Sequence, residues 1–279
     1  MTVTNEKCEK FHAFLREQEH SDQTVQKYIR DIRKLGDFAA GRTLTKALLV
    51  EFKAYLTERF KPTSVNSILA AANKFLDFWG LHSCKVKPLK LQKIIFNSEE
   101  KELKRSEYLR LLEAARSRGN ERLMLIVETI SSTGIRISEL KFITVKAIRA
   151  GRAEVNCKGK FRVIFLPEKL CGILKKYTEK QKITAGAVFI TRSGNPIDRS
   201  NVWRELKKLA EMAQVKKQKV FPHNFRHFFA RTFYSKENDI VRLADILGHS
   251  NVSTTRIYTT ESGNAHIRQL ERLDLVITS

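Results

Sequence analysis

The sequence predicts a mainly α-helical protein with one small β-sheet, arranged as two domains. Three observations carry that expectation. Apolar residues recur at helical spacing through the first 80 positions. One stretch, AEVNCKGKFRVIFLP from Ala153 to Pro167, holds two short β-prone runs around a KGK turn, the pattern of a hairpin. Between these regions, residues 82–99 lose the helical period and carry Pro88 and lysines at alternating positions.

The elements follow in order. Glu6 to Glu17 places Phe11, Phe14 and Leu15 on one face. Ser21 or Asp22 caps a second helix, whose Val25, Tyr28, Ile29, Ile32, Leu35 and Phe38 keep one stripe until Gly41 ends it. A third runs from about Thr45 through Leu48, Leu49, Phe52, Tyr55 and Leu56. Pro62 opens a fourth, striped by Val65, Ile68, Leu69, Ala72, Phe75, Leu76 and Trp79 and closed by Gly80. These four form an N-terminal domain over residues 1–81. A basic interdomain linker, 82–99, offers Lys85, Lys87, Lys90 and Lys93 to a phosphate backbone. The second domain spans 100–279, with helices at Ser106–Ala115 and Glu121–Ser131, the hairpin within Ile148–Leu166, and a helix opened by Pro167. Gly186–Thr191 is a short strand or buried extended run. Helices resume at Ser200 and continue in pieces to about Leu275.

Composition narrows the function. The 279 residues include 52 Lys and Arg against 30 Asp and Glu, a formal net charge of +22. An excess spread along a folded chain is relieved by an anionic partner, and nucleic acid is the expected one. No stretch approaches the roughly 18 apolar residues of a membrane span, and MTVTNEKCEKF lacks the apolar core of a secretory signal. A cytoplasmic protein without a membrane partner is expected. Cys8, Cys84, Cys157 and Cys171 show no zinc-site spacing and are expected as free thiols.

Four short motifs lie in the second domain. STGIRISEL places Gly134 at a turn before a helix, with Arg136 and Glu139 three apart on one face. CKGKFRVIFLP puts a lysine at a hairpin tip. FPHNFRHFFA starts a helix at Pro222 and sets His223 and Arg226 on one face, with His227 off it and Phe225, Phe228 and Phe229 toward a core. In LGHSNVSTTRIYT, Gly248 ends a helix, and Asn251 or Ser253 can cap the short helix that carries Tyr258, nine residues after His249. A turn must intervene, because one unbroken helix would set these two on opposite sides.

Each motif alone is ordinary: a solvated Arg–Glu pair, a hairpin lysine, a capping histidine, a packed tyrosine. Together they suit phosphoryl transfer without a metal. Arginines bind non-bridging phosphate oxygens bidentately and stay charged. A histidine donates a hydrogen bond or moves a proton. A lysine or imidazolium protonates the departing oxygen, and neighbouring cations activate a tyrosine hydroxyl as nucleophile. No Asp/Glu cluster is visible to hold Mg²⁺, so no metal and no cofactor are expected.

In order and spacing, TGIRISEL, KGK, HNFRH and LGHSNVSTTRIY resemble the tyrosine recombinase (integrase) family, and SDQTVQKYIRDIRKLGDFA resembles its SAM-like core-binding domain. The resemblance covers nearly the whole chain and implies a SAM-like four-helix domain followed by an α+β catalytic domain. It implies that Arg136 and Arg226 hold the scissile phosphate and that Lys158 protonates the leaving 5′ oxygen. His223 takes the general-base or phosphate-binding place, His249 donates to a non-bridging oxygen, and Tyr258 forms a 3′-phosphotyrosyl link. Glu139 supports Arg136. The hairpin, CKGKFR, is one residue shorter than the family's usual GKGxKxR; alternation after the turn favours Lys158 over Lys160. A terminal helix over about 262–275, with Ile267, Leu270, Leu273 and Leu275, packs on its own domain or, as the family implies, docks into a neighbouring protomer. The implied assembly is a homotetramer, or a heterotetramer with a paralogue, on two double-stranded DNA duplexes with paired inverted half-sites.

The chain starts at the core-binding bundle, as compact Xer-type or simple mobile-element members do. The expected role is chromosome dimer resolution or integration and excision of an element. Two rival readings use the same residues. A type IB topoisomerase shares the chemistry but relaxes supercoils, and a catalytically silent DNA-binding regulator keeps only the fold.

Overall fold

A computed structural model describes residues 1–91, 99–157, 160–249, 251–255 and 271–272. The chain divides into two units, Met1–Lys93 and Ile94–Ser279.

The first unit is built from α1 (Asn5–Glu17), α2 (Asp22–Ala39), α3 (Lys46–Arg59) and α4 (Pro62–Phe78). Side chains mark the starts. Thr4 Oγ1 accepts from Lys7 N, Thr45 Oγ1 accepts from Leu48 N, and Pro62 occupies the first turn of α4, where its missing N–H costs nothing. Helix α2 stops one residue earlier than Gly41 suggests, because Ala40 itself takes the left-handed cap at φ 46°. The predicted stripes face one core: Phe11, Ile32, Leu35, Leu49, Phe52, Leu56, Val65 and Phe75 are all fully buried. Phe11 stands edge-on to Phe75 with ring centroids 5.2 Å apart, a geometry worth about 0.5–1.5 kcal/mol beyond area burial.

The basic stretch after α4 begins on this unit. A single 3₁₀ turn, His82–Cys84, leads into extended chain, and Cys84 and Val86 are buried. Two asparagines of α4 grip it through their amides. Asn73 accepts from Val86 N (3.1 Å) and donates to Val86 O (2.9 Å); Asn66 does the same to Leu89 (2.7 and 2.9 Å). From α3, the ammonium groups of Lys46 and Lys53 donate to the carbonyls of Lys85 and Lys87.

The second unit contains α5 (Arg105–Ser117), α6 (Glu121–Thr133), α7 (Val145–Ala150), β1 (Arg152–Cys157), β2 (Lys160–Phe165), α8 (Glu168–Lys180), α9 (Arg199–Met212), α10 (Pro222–Glu237), α11 (Ile240–Leu247) and α12, described over Val252–Thr255. Helix α6 is the spine, with Leu123, Leu125, Ile126, Val127 and Ile130 buried. Its two buried threonines turn their hydroxyls back onto carbonyls one turn earlier, Thr129 to Leu125 O and Thr133 to Thr129 O, so neither leaves a polar group unmet in the core. Helix α10 lies against α6, and Phe225 of α10 is fully buried in the shared core.

Strands β1 and β2 pair antiparallel, with Val155 opposite Arg162 and Cys157 opposite Lys160. Lys158 and Gly159, the predicted turn, lie outside the described residues. Ala153, Val155 and Ile164 are buried, while Phe161, Val163 and Phe165 stand exposed.

Two local expectations change. The predicted hairpin region from Ile148 begins in helix α7, whose start is set by Thr144 Oγ1 accepting from Ala147 N. The segment after Gly134 is not an α-helix with Arg136 and Glu139 on one face. It is a 3₁₀ helix, Ile137–Phe142, with Arg136 as its N-cap. Of the two alternatives for Gly186–Thr191, the extended run holds: Val188 and Phe189 are buried, and the segment carries the isolated bridges Thr144–Ala187 and Ile190–Pro196 rather than a strand. Among the described residues no helix is long and apolar enough to cross a membrane.

Candidate active site

Helix α6 ends where Gly134 adopts φ 65°. A Cβ there would fall 2.4 Å from Phe229 of α10 and 2.9 Å from Leu247 of α11, so only glycine lets these three helices meet. The Gly134 carbonyl accepts from Arg226 Nη1 at 2.5 Å.

Among the described residues Arg226 is the largest fully buried side chain, 1% exposed. A buried cation is tolerated only with its donors matched. Besides Gly134 O, Nη2 donates to Leu247 O (2.8 Å) and to His249 Nε2 (2.9 Å). Arginine has no lone pair to offer, so Nε2 of His249 is the acceptor. The proton of the neutral ring then sits on Nδ1, which donates to Thr255 Oγ1 at 2.9 Å. Burial first, then Arg226, Arg136, Arg162 and His223, push the His249 pKa down to about 4, so the ring is neutral at pH 7.

Glu139 is buried and acts as a capping carboxylate. Its Oε2 accepts from Arg136 N (2.7 Å) and its Oε1 from Arg136 Nη1 (3.0 Å). This fixes the half-exposed Arg136 guanidinium from behind. The second cation on Glu139 is Arg162 of β2, whose Nη2 donates to Oε2 at 2.5 Å.

His223 sits at the open rim, in the first turn of α10. The buried side of its ring, then the charges of Arg226 and Arg136, lower its pKa. His227 does not lie off the His223 face, as first expected. Four residues along a helix bring side chains together, and the two rings stand 4.6 Å apart at 87°. Burial first, then His223 and Arg226, push His227 to about 4.

The structure therefore gathers Arg136, Glu139, His223, Arg226 and His249 in one place. The required break falls within the last motif: α11 stops at Gly248 in the left-handed conformation, and α12 starts at Val252, after His249. Tyr258, Lys158 and the terminal segment 262–275 lie outside the described residues, and so does Lys93. Of the other linker lysines, Lys85 pairs with Asp77 at 2.9 Å, while Lys87 and Lys90 are exposed. Among the described residues no three His, Cys, Asp or Glu side chains cluster as metal ligands. Cys8, Cys84 and Cys171 are free thiols.

The phage integrase family profile matches residues 101–264, more than half of the chain, and the phage integrase N-terminal SAM-like domain matches residues 8–79. The chain belongs to the phage integrase family. The enzymes of this family are tyrosine recombinases, and this one cleaves and rejoins DNA in site-specific recombination. It is 28% identical to tyrosine recombinase XerA of Thermococcus kodakarensis over 270 residues, covering 93% of this chain and 92% of the relative. It is 26% identical to tyrosine recombinase XerD of Halalkalibacterium halodurans, covering 93% and 94%. Among solved structures, a lambda integrase (75–356) dimer bound to a COC′ core site aligns with TM-score 0.73 at 18% identity, covering 92% of this chain and 95% of that one. These likenesses bear out the mainly helical fold and the two-domain integrase architecture.

Nothing in the sequence signals Thr255, and Arg162 enters it only as the last residue of the CKGKFR hairpin motif, without a role. Thr255 is buried and holds the inner nitrogen of His249. Arg162 joins Glu139 to the end of α11. A signal for Arg162 was present. In KFRVIF the apolar Phe161, Val163 and Phe165 share one parity of the strand, and Arg162 shares the other with Ile164.

Proposed function

We propose that this recombinase acts through a 3′-phosphotyrosyl intermediate, with Arg136, Lys158, His223, Arg226, His249 and Tyr258 as its catalytic residues. The observation that carries the reading is the convergence on Arg226, which bonds at once to the Gly134 turn and to His249 while Arg136 stands at the open side. A scissile phosphate enters beside Arg136 and His223 and takes the Arg226 Nη2 donor from His249. The negative charge it brings raises the His249 pKa, so the ring gains a proton at Nε2 and donates to a non-bridging oxygen. The Tyr258 oxygen attacks phosphorus as its proton passes to His223, and the bond to the 5′ oxygen breaks. Lys158, or Lys160 beside it, supplies that oxygen's proton. A second 5′ hydroxyl reverses the step, so the phosphodiester energy is conserved and neither ATP nor a metal is consumed.

The partner is double-stranded DNA with paired inverted half-sites. Residues 1–81 form the core-binding domain, 82–99 the basic linker with Lys85, Lys87, Lys90 and Lys93 along the phosphates, and 100–279 the catalytic domain. Four protomers, identical or mixed with a paralogue, act on two duplexes, with the 262–275 helix exchanged between neighbours. The work is done in the cytoplasm, on the nucleoid, as dimer resolution or as integration and excision of an element.

Covalent capture tests this. The protein is incubated with duplexes of randomised sequence in plain EDTA buffer, and DNA that stays attached through denaturation is sequenced. The expected result is enriched inverted half-sites, with no adduct from Tyr258→Phe. Adducts that survive Tyr258→Phe would overturn the assignment. Efficient relaxation of any supercoiled plasmid, without a site requirement, would point to topoisomerase action instead.

A further inference from the structure

The C-terminal end of α11 leaves four carbonyls without helical partners. Ala244 O accepts from His249 N (3.0 Å) and Asp245 O from Gly248 N (2.9 Å). The other two are met by arginines from different elements: Leu247 O by Arg226 of α10 (2.8 Å) and Ile246 O by Arg162 of β2 (2.9 Å). Arg226 belongs to the site already described. Arg162 has no assigned role.

Its placement is costly. Arg162 occupies an inward position on β2 with its side chain 13% exposed, while the phenylalanines beside it face out. A chain that needed only a stable hairpin would reverse that order. The guanidinium reaches in two directions, with Nη2 on Glu139 Oε2 and Nη1 on Ile246 O. It also fills the space under Gly248, where a Cβ would fall 2.6 Å from Arg162 Cδ and 2.9 Å from Nη1. Gly248 immediately precedes His249, and Glu139 holds Arg136.

The geometry points to Arg162 as a positioning residue for strand cleavage. One side chain ties the hairpin that carries the candidate lysine to the carboxylate behind Arg136 and to the turn that presents His249. Arg136 and His249 thus keep a common spacing, with β2 tied to both. Lysine cannot replace the fork, because an ammonium is a point donor without the planar two-way reach of a guanidinium. This inference rests on the catalytic assignment proposed above.

Wild type, Arg162→Lys and Arg162→Met are compared on a nicked suicide duplex bearing a captured site. Single-turnover adduct formation and equilibrium binding are measured on the same DNA. Arg162→Met is expected to cleave about 100-fold more slowly, the scale of an ångström-level misplacement, with affinity within about threefold of wild type. Arg162→Lys, which keeps one of the two contacts, is expected to recover about tenfold of that loss. Cleavage by Arg162→Met within about threefold of wild type overturns the inference, and so does a cleavage loss that only tracks weaker binding. Should Arg162→Met fail to fold, Gly248→Ala crowds the same guanidinium and carries the same two readings. A second arm needs no cleavage at all. In ¹⁵N-histidine-labelled protein without DNA, Arg162→Met or Gly248→Ala is expected to move the ring nitrogen signals of His249, and unmoved signals overturn the inference. Failure of wild type itself to form any adduct, with those signals moving as expected, overturns the phosphotyrosyl reading and leaves the positioning intact.

Discussion

The two units solve different problems with the same material. Both are helical and both bury a dense apolar core. The first, over its described residues, buries one charged side chain, Asp31, which pairs within its own helix with Lys27 at 2.6 Å. The second buries Thr129, Thr133, Glu139, Thr178, Lys219, Asn224, Arg226 and Thr255. Burying polar groups costs stability unless every one is matched. The first unit needs only to hold a shape. The second accepts that cost in order to hold charged groups at fixed spacing, and most of its buried polar contacts join different elements. Lys219 on Glu107 (2.8 Å) and Asn224 on the Lys101 and Lys219 carbonyls (3.1 and 2.6 Å) brace the start of α10 in this way.

The contrast can be broken most sharply at its largest buried cation. Arg226→Met strands the Gly134 and Leu247 carbonyls together, so a loss of about 3–5 kcal/mol in urea unfolding of the second unit is expected, with no detectable DNA adduct. Arg226→Lys keeps the charge and is expected to fold, yet to lose at least ~10²-fold in adduct formation because the fork is gone. The matching change in the first unit is Phe75→Ala, expected to cost about 3–5 kcal/mol through the cavity it leaves. It should lower affinity for DNA while leaving the cleavage rate of DNA already bound within about threefold. A large cleavage defect from Phe75→Ala at saturating DNA would erase the division of labour.

A pH titration sharpens the same comparison. His227 and His249 titrate near 4 when folded and near 6.5 when unfolded. Between those values the unfolded chain binds more protons, so stability rises with pH through the window. Their contribution is complete above about pH 6.5 and is lost as pH falls toward about 4. Urea midpoints of the second unit should fall over that range, and His227→Gln should remove part of the slope, the rest being carried by His249 and His223. Among the described residues of the first unit no histidine is buried, and its midpoint should change less over that range than that of the second. The smallest expected effect is at the exposed linker lysines. Lys87→Ala and Lys90→Ala should each reduce the salt slope of DNA binding by about 1, with no sequence preference.

Legibility in the sequence followed the same divide. The helices of the first unit were plain because their burial is one-sided, and a repeating stripe is the direct imprint of that. Arg136, His223, Arg226 and His249 were found as a set, since the chemistry demands those residue types together. Their mutual support was harder to see. The Arg136–Glu139 pair arises from a 3₁₀ cap rather than an α-helical face, and spacing of three is common to both. His227 was misplaced although its four-residue separation from His223 sets the rings side by side. Helix α7 is six residues long, too short for a periodic signal to rise above the β-prone run that follows. Arg162 and Thr255 act through partners more than six residues away or across a turn, and a local window cannot weigh such contacts.

The asparagine grips on α4 also measure length. Asn66 and Asn73 stand seven residues apart on a helix, a rise of about 10.5 Å. The residues they hold, Val86 and Leu89, are three apart in extended chain, a span of about 10 Å. The two rulers agree only in this register, like the scales of a vernier. Inserting one residue between Val86 and Leu89 would leave one asparagine facing the wrong peptide and bury an unmet amide. The point at which the chain departs from the first unit is therefore counted out in residues, and a linker lengthened upstream of Leu89 is not equivalent to one lengthened after it.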